Sequence, residues 1–142
     1  MEIKVLSADI VTLPVKAIIV NLFEGVTQPS GATGAVDQAL GGAISRLIAE
    51  GEIKGKLSEV TLLHTLGKIP PQRVAVVGLG KAQELTLDRV RGATAEVCRA
   101  LRRVGATQVA TIVHGAGQGS TDPNQAAQAV VEGALLGIYT FR

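Results

Sequence analysis

With one cysteine, two histidines, two phenylalanines, one tyrosine and no tryptophan, this 142-residue chain lacks the side chains that several kinds of chemistry require. Cys98 alone cannot form an internal disulfide, and with His64 and His114 it falls short of a Cys/His zinc site. A reducing cytoplasm suits such cysteine usage. Scarce aromatics argue against a base-stacking surface. A net charge of +2 is too small to imply nucleic acid by itself, so nucleic acid is not the expected partner. No apolar stretch approaches the roughly 18 residues of a membrane helix, and Met1-Glu-Ile-Lys-Val is no export signal. The sequence therefore predicts a soluble cytoplasmic protein with no membrane partner.

What is abundant is small and apolar. The chain is 46% hydrophobic and has 17 glycines, which suits helices packed closely on a sheet. Its length fits one domain, residues 1–142, burying about two-thirds of its unfolded surface. Strands are expected at residues 2–7, 16–23, 59–65, 73–79 and 108–113. The run at 73–79 has no polar alternation, the pattern of a strand buried on both faces. One helix is expected after the loop 27–34, with Val36, Leu40, Ala43, Ile44 and Leu47 inward, Asp37, Arg46 and Glu50 pointing elsewhere, and Gly41-Gly42 weakening its middle. A second should run from an N-cap at Thr86 to Val104, closed by Gly105. A third should start at Asp122-Pro123, its inner face made of Ala127, Val130, Val131, Ala134, Leu135 and Ile138. The order β-β-α-β-β-α-β-α implies a three-layer α/β/α fold with a mixed, largely parallel central sheet.

Gly78-Leu-Gly80-Lys81 invites comparison with phosphate loops, but the spacing fails. Ala75 stands where a Walker loop needs glycine, and Ala82 where it needs Ser or Thr. Gln83 replaces the third glycine of a dinucleotide fingerprint, so a structural turn is expected. The glycine loops before the first and third helices, ending at Gly34 and spanning Gly115, Gly117 and Gly119, are better anion sites because free backbone N–H groups meet a helix N-terminus there. His114 reads as a hydrogen-bonded turn residue, no partner carboxylate being identifiable. Arg89, Arg91, Arg99, Arg102 and Arg103 read as a solvated face complementing a helix dipole, with a DNA or acidic-partner surface as the alternative. Cys98 reads as a buried filler, and His64 has no second ligand near it.

The chain resembles the N-terminal, non-catalytic domain of the leucine (cytosol) aminopeptidase family. The resemblance rests on Gly51-Glu-Ile-Lys-Gly-Lys56, Arg73-Val-Ala-Val-Val-Gly-Leu-Gly-Lys81 and Leu85-Thr-Leu-Asp-Arg-Val-Arg-Gly-Ala-Thr-Ala95. It implies a macrodomain-like fold that helps build an oligomer and precedes a larger catalytic domain. Family enzymes cleave N-terminal residues from peptides with two divalent metal ions, such as zinc or manganese, held in an N-T-D-A-E-G-R type motif. That motif is missing here. The resemblance thus implies no catalytic residue, no metal and no cofactor in this chain, and a partner that is either another copy or an aminopeptidase catalytic domain.

A more distant resemblance is to macrodomains that recognise ADP-ribose. Ser7-Ala-Asp9-Ile10-Val-Thr is similar to their G-D-I-T segment, Val15-Lys-Ala-Ile-Ile-Val-Asn21 to the strand ending in their Asn-rich motif, and Gly34-Ala-Val36-Asp37 with Ala39 to their G-x-V-D-x-A loop. This implies a nucleotide ligand, with Asp9 and Ile10 at the adenine and the two glycine loops at the diphosphate. Leu-Phe-Glu follows Asn21 where those proteins carry Ala-Ala-Asn, so the resemblance does not extend to distal-ribose contacts or hydrolysis.

Overall fold

A computed structural model describes residues 2–6, 10–112, 114 and 122–138. Its elements are β1 (Glu2–Leu6), β2 (Ala17–Leu22), α1 (Gly31–Ala39), α2 (Ala43–Ala49), β3 (Val60–His64), β4 (Arg73–Gly78), α3 (Leu87–Arg103), β5 (Gln108–Ile112) and α4 (Pro123–Ile138). The five strands form one sheet in the order β1-β5-β2-β4-β3. All neighbours are parallel except β3, which runs antiparallel to β4 at one edge.

The branched apolar runs at the centre produce the expected double burial. In β2, Ala17 and Ile19 face the α3/α4 layer, while Ile18, Val20 and Leu22 face α1 and α2. In β4, Ala75 and Val77 face the first layer, and Val74 and Val76 the second; all four are at most 1% exposed. Each such Val, Ile or Leu side chain contributes on the order of 1.5–3 kcal/mol of hydrophobic stabilisation. The sheet is thus a slab with a separate apolar core on each side, the three-layer arrangement expected.

Thr86 caps α3 as its residue type predicts, its hydroxyl accepting from the Arg89 amide at 3.2 Å. The helix before β3 departs from expectation. Its predicted middle is a break, with Gly41 and Gly42 at φ +69° and +85°, where an L side chain would be strained. The chain turns there, and the Gly42 amide bonds back to the Asp37 carbonyl at 2.8 Å. Two short helices replace one long one. Asp37 consequently faces inward at 9% exposure, where its carboxylate accepts the backbone amide of Ser45 at 2.8 Å and the Ser45 hydroxyl at 2.5 Å. An anion at the N-terminus of α2 is favoured by the free amides and the helix dipole.

α4 also differs. Val130 and Ala134 are buried as predicted, but Val131 and Leu135 are 45% and 54% exposed. The inner face is instead small: Ala126, Ala129, Gly133 and Gly137 are all buried, the two glycines directly against α3. A Cβ on Gly137 would lie 2.6 Å from the Ala95 carbonyl, and one on Gly133 would collide with the Arg91 carbonyl. The helices meet backbone to backbone, which excludes larger residues from the seam. Arg91 braces the same contact from the rim, reaching Glu132 on α4 at 2.9 Å.

Candidate functional site

The parallel strands of an open α/β sheet place their ligand crevice beyond their carboxyl ends. At that end of β4 the sequence set its most conspicuous glycines. The amides of Gly78, Leu79 and Gly80 donate to the carbonyls of Glu59, Leu22 and Gly55 at 2.8, 3.0 and 2.9 Å. The Gly80 carbonyl in turn accepts the Glu24 amide at 2.8 Å. Any side chain on Gly78 would overlap the Lys56 carbonyl. The amides of all three residues are therefore occupied by the protein's own backbone. The Glu59 carboxylate fixes the crossing segment, accepting the amides of Lys54 and Gly55, both at 2.9 Å. The loop is a structural turn, as its spacing predicts.

A cleft of about 60 Å³ opens one strand away, between the end of β2 and the start of α1. Asn21, Phe23, Val26, Pro29, Ser30 and Thr33 are among its lining residues. The first turn of α1 brings the positive end of the helix dipole here, and the Ser30 side chain makes no capping bond. The Thr33 hydroxyl donates to the Asn21 carbonyl at 2.7 Å, tying helix to strand. Gly34 lies inside α1, not before it, and has no space for a Cβ against the Pro29 carbonyl.

Asn21 is the meeting point of the cleft with a buried polar cluster. His114 is fully buried; its Nδ1 lies 3.1 Å from Asn21 Nδ2 and its Nε2 2.8 Å from Thr111 Oγ1. Loss of hydration pushes this imidazole from its ordinary value down to about 4, so it is neutral at neutral pH. It is the hydrogen-bonded turn residue its position suggested.

The remaining predicted residues divide. Ile10 and Val36 are buried in the core on the α1/α2 side of the sheet at 1% and 0% exposure. Asp37 has its carboxylate engaged with Ser45. Asp9, Gly115, Gly117 and Gly119 lie outside the described residues. Sequence patterning does not single out Thr33 or Thr111; a hydroxyl in the otherwise apolar run 109–112 is the available signal, since a buried one must find a partner.

Elsewhere, Cys98 is 1% exposed and its thiol is pushed up to about 11 by burial, so it is inert filler. His64 uses Nδ1 to accept the Leu66 amide at 3.0 Å in the turn after β3. Arg89 and Arg99 pair with Glu84 and Glu96 on the surface, while Arg99, Arg102 and Arg103 border a second hollow with Gly137. Among the described residues, no group of three or more His, Cys, Asp or Glu side chains converges where a metal could sit, and no helix is long and apolar enough to cross a membrane.

Comparison with known proteins agrees with this architecture. The model of the cytosol aminopeptidase family, N-terminal domain, matches residues 19–142. A probable cytosol aminopeptidase of Geobacter sulfurreducens is 38% identical over 141 residues, covering 99% of this chain and 28% of that protein. The chain thus spans little more than a quarter of that relative's length. Among solved structures, the macrodomain of Mycobacterium tuberculosis DarG superposes with a TM-score of 0.74 at 18% identity, covering 92% of this chain and 88% of that one. A Trypanosoma brucei macrodomain gives 0.76 at 14% identity, over 94% of this chain and 54% of its own. At such identities the likeness is one of fold.

Proposed function

This chain belongs to the cytosol aminopeptidase family, as its N-terminal domain with a macrodomain-like fold, and on that premise we propose that it is a non-catalytic module serving oligomer assembly or regulation of a metal-dependent aminopeptidase. The observation that carries the reading is the outer face of α4, where Val131, Leu135 and Leu136 are each about half exposed on a helix whose inner face is already filled. Adjacent large apolar side chains left in water favour association. The partner is a second copy or the catalytic domain, in the cytoplasm, and the two metal ions belong to that catalytic domain.

Sedimentation velocity of the chain, alone and with a separately produced family catalytic domain, tests this reading. Self-association or capture is expected. A monomer that captures nothing overturns it, as does hydrolysis of a leucine-anilide substrate by the chain alone with added manganese or zinc.

A second reading is a binder of ADP-ribose or a related nucleotide, favoured by the cleft at Asn21 and the N-terminus of α1. It ranks second because about 60 Å³ admits a small polar group, well below the several hundred Å³ of most ligand pockets. Calorimetry with ADP-ribose tests it, and no heat at about millimolar ligand ends it.

A further inference from the structure

A histidine with no exposed surface must have both ring nitrogens satisfied, and the pattern that satisfies His114 is directional. The chain of bonds ends at the carbonyl of Ile112, which can only accept. Thr111 Oγ1 donates to it at 3.0 Å and, having one proton, must accept from His114 at its other contact. The imidazole proton therefore sits on Nε2. A neutral ring carries one N–H, which leaves Nδ1 as a bare lone pair facing Asn21. Only the NH₂ end of the Asn21 carboxamide can meet it; the opposite orientation would set two acceptors against each other.

The consequence falls on the cleft. With Nδ2 held by the ring, Oδ1 is the free end of the carboxamide, and no donor among the described residues meets it. Asn21 is only half-buried and lines the cleft, and its backbone carbonyl is independently pinned by Thr33. We propose that His114 is a positioning residue for Asn21, fixing the carboxamide so that the cleft presents an oxygen acceptor and prefers a ligand group that donates a hydrogen bond, a hydroxyl or N–H, over a carboxylate or phosphate oxygen. The ligand clause rests on the binding reading above; the relay of bonds does not.

Long-range proton–nitrogen correlation of the imidazole in the full chain reads the relay directly. At neutral pH the wild-type ring should show protonated Nε2 and bare Nδ1; a protonated Nδ1 overturns the proposal. Thr111→Val removes the acceptor from Nε2 with little change of shape, so the proton should move to Nδ1 and the Asn21 amide should turn over. Asn21→Asp replaces the NH₂ donor by a carboxylate and should draw a second proton onto Nδ1, with ring titration moving up by at least one pH unit, about tenfold in proton affinity. A ring unmoved by both substitutions overturns the proposal. For the ligand clause, ADP-ribose affinity should fall about tenfold or more in Thr111→Val. Equal affinity in the two proteins refutes the clause, whereas no binding in either, with the wild-type ring signature as expected, ends the binding reading and leaves the relay standing.

Discussion

Gly133 faces the backbone carbonyl of Arg91 with no space between them for a methyl group. The two helices on one side of the sheet are thereby locked at a separation that only glycine permits. Gly133→Ala should cost about 1–3 kcal/mol, the usual penalty of overpacking a tight seam. Gly92 is the control: it lies on α3 facing solvent, and a Cβ there would meet no atom within 4 Å, so Gly92→Ala should stabilise by about 0.5–1 kcal/mol. Urea unfolding of the two variants should move in opposite directions.

The helix pattern places Val131 and Leu135 on the inner face of α4 beside Val130 and Ala134 because it ranks positions by apolar size, but only the latter two are buried. Val131 and Leu135 are larger than Gly133 and Ala129, yet the seam admits only the smaller set. The spacing of Gly133 and Gly137, one turn apart, is what marks the close seam in the sequence. By contrast β4 and α3 were plain to read. Their apolar runs are long, and Thr86 and Gly105 mark the helix ends by backbone chemistry that acts locally. Asn21 and His114 lie far apart in sequence, and no local rule links them; that half of the site exists only once β2 and β5 are neighbours.

Asp37 should act as a brace for α2. Asp37→Ala would leave the Ser45 amide without its carboxylate acceptor and should lower stability by about 1–2 kcal/mol, within the range for losing a helix cap. Asp37→Asn keeps an acceptor and should recover part of that loss. Thermal melts of the two variants give the comparison, and equal destabilisation would mean that charge at the helix terminus matters more than the bond.

Stability should decline in acid through His114. Burial holds the folded ring near 4 against an ordinary 6.5, so the unfolded chain takes up a proton first as the pH falls. The contribution is complete above about pH 6.5, is lost progressively down to about pH 4, and changes no further below it; its full size is about 3 kcal/mol. Urea titrations at intervals across that window, with the ring's own titration followed by NMR, would show the slope. A ring that titrates in the folded protein near 6.5 would contradict it.

Replacing Leu135 by Glu should abolish self-association or capture of the catalytic domain while changing the stability of the isolated chain by less than about 0.5 kcal/mol, because the side chain already faces water. Sedimentation velocity and urea unfolding on the same sample separate the two effects. Association that survives both Leu135→Glu and Val131→Glu would place the interface elsewhere.

Cys98 should resist thiol reagents until the protein unfolds, given its burial and raised thiol value. A chromogenic disulfide reagent should titrate no thiol in the native state and one in urea.

The strand order carries a consequence for how the chain comes into being. Only β3 and β4 pair with a sequence neighbour; β2 must wait for β4, and the first strand finds its place only when Glu2 can meet Gln108. On the ribosome β1 therefore emerges before the strand it must pair with and is among the last of the five to be seated. The nascent β2, with Ile18, Ile19 and Val20 unshielded meanwhile, is the stretch where chaperones have most to protect.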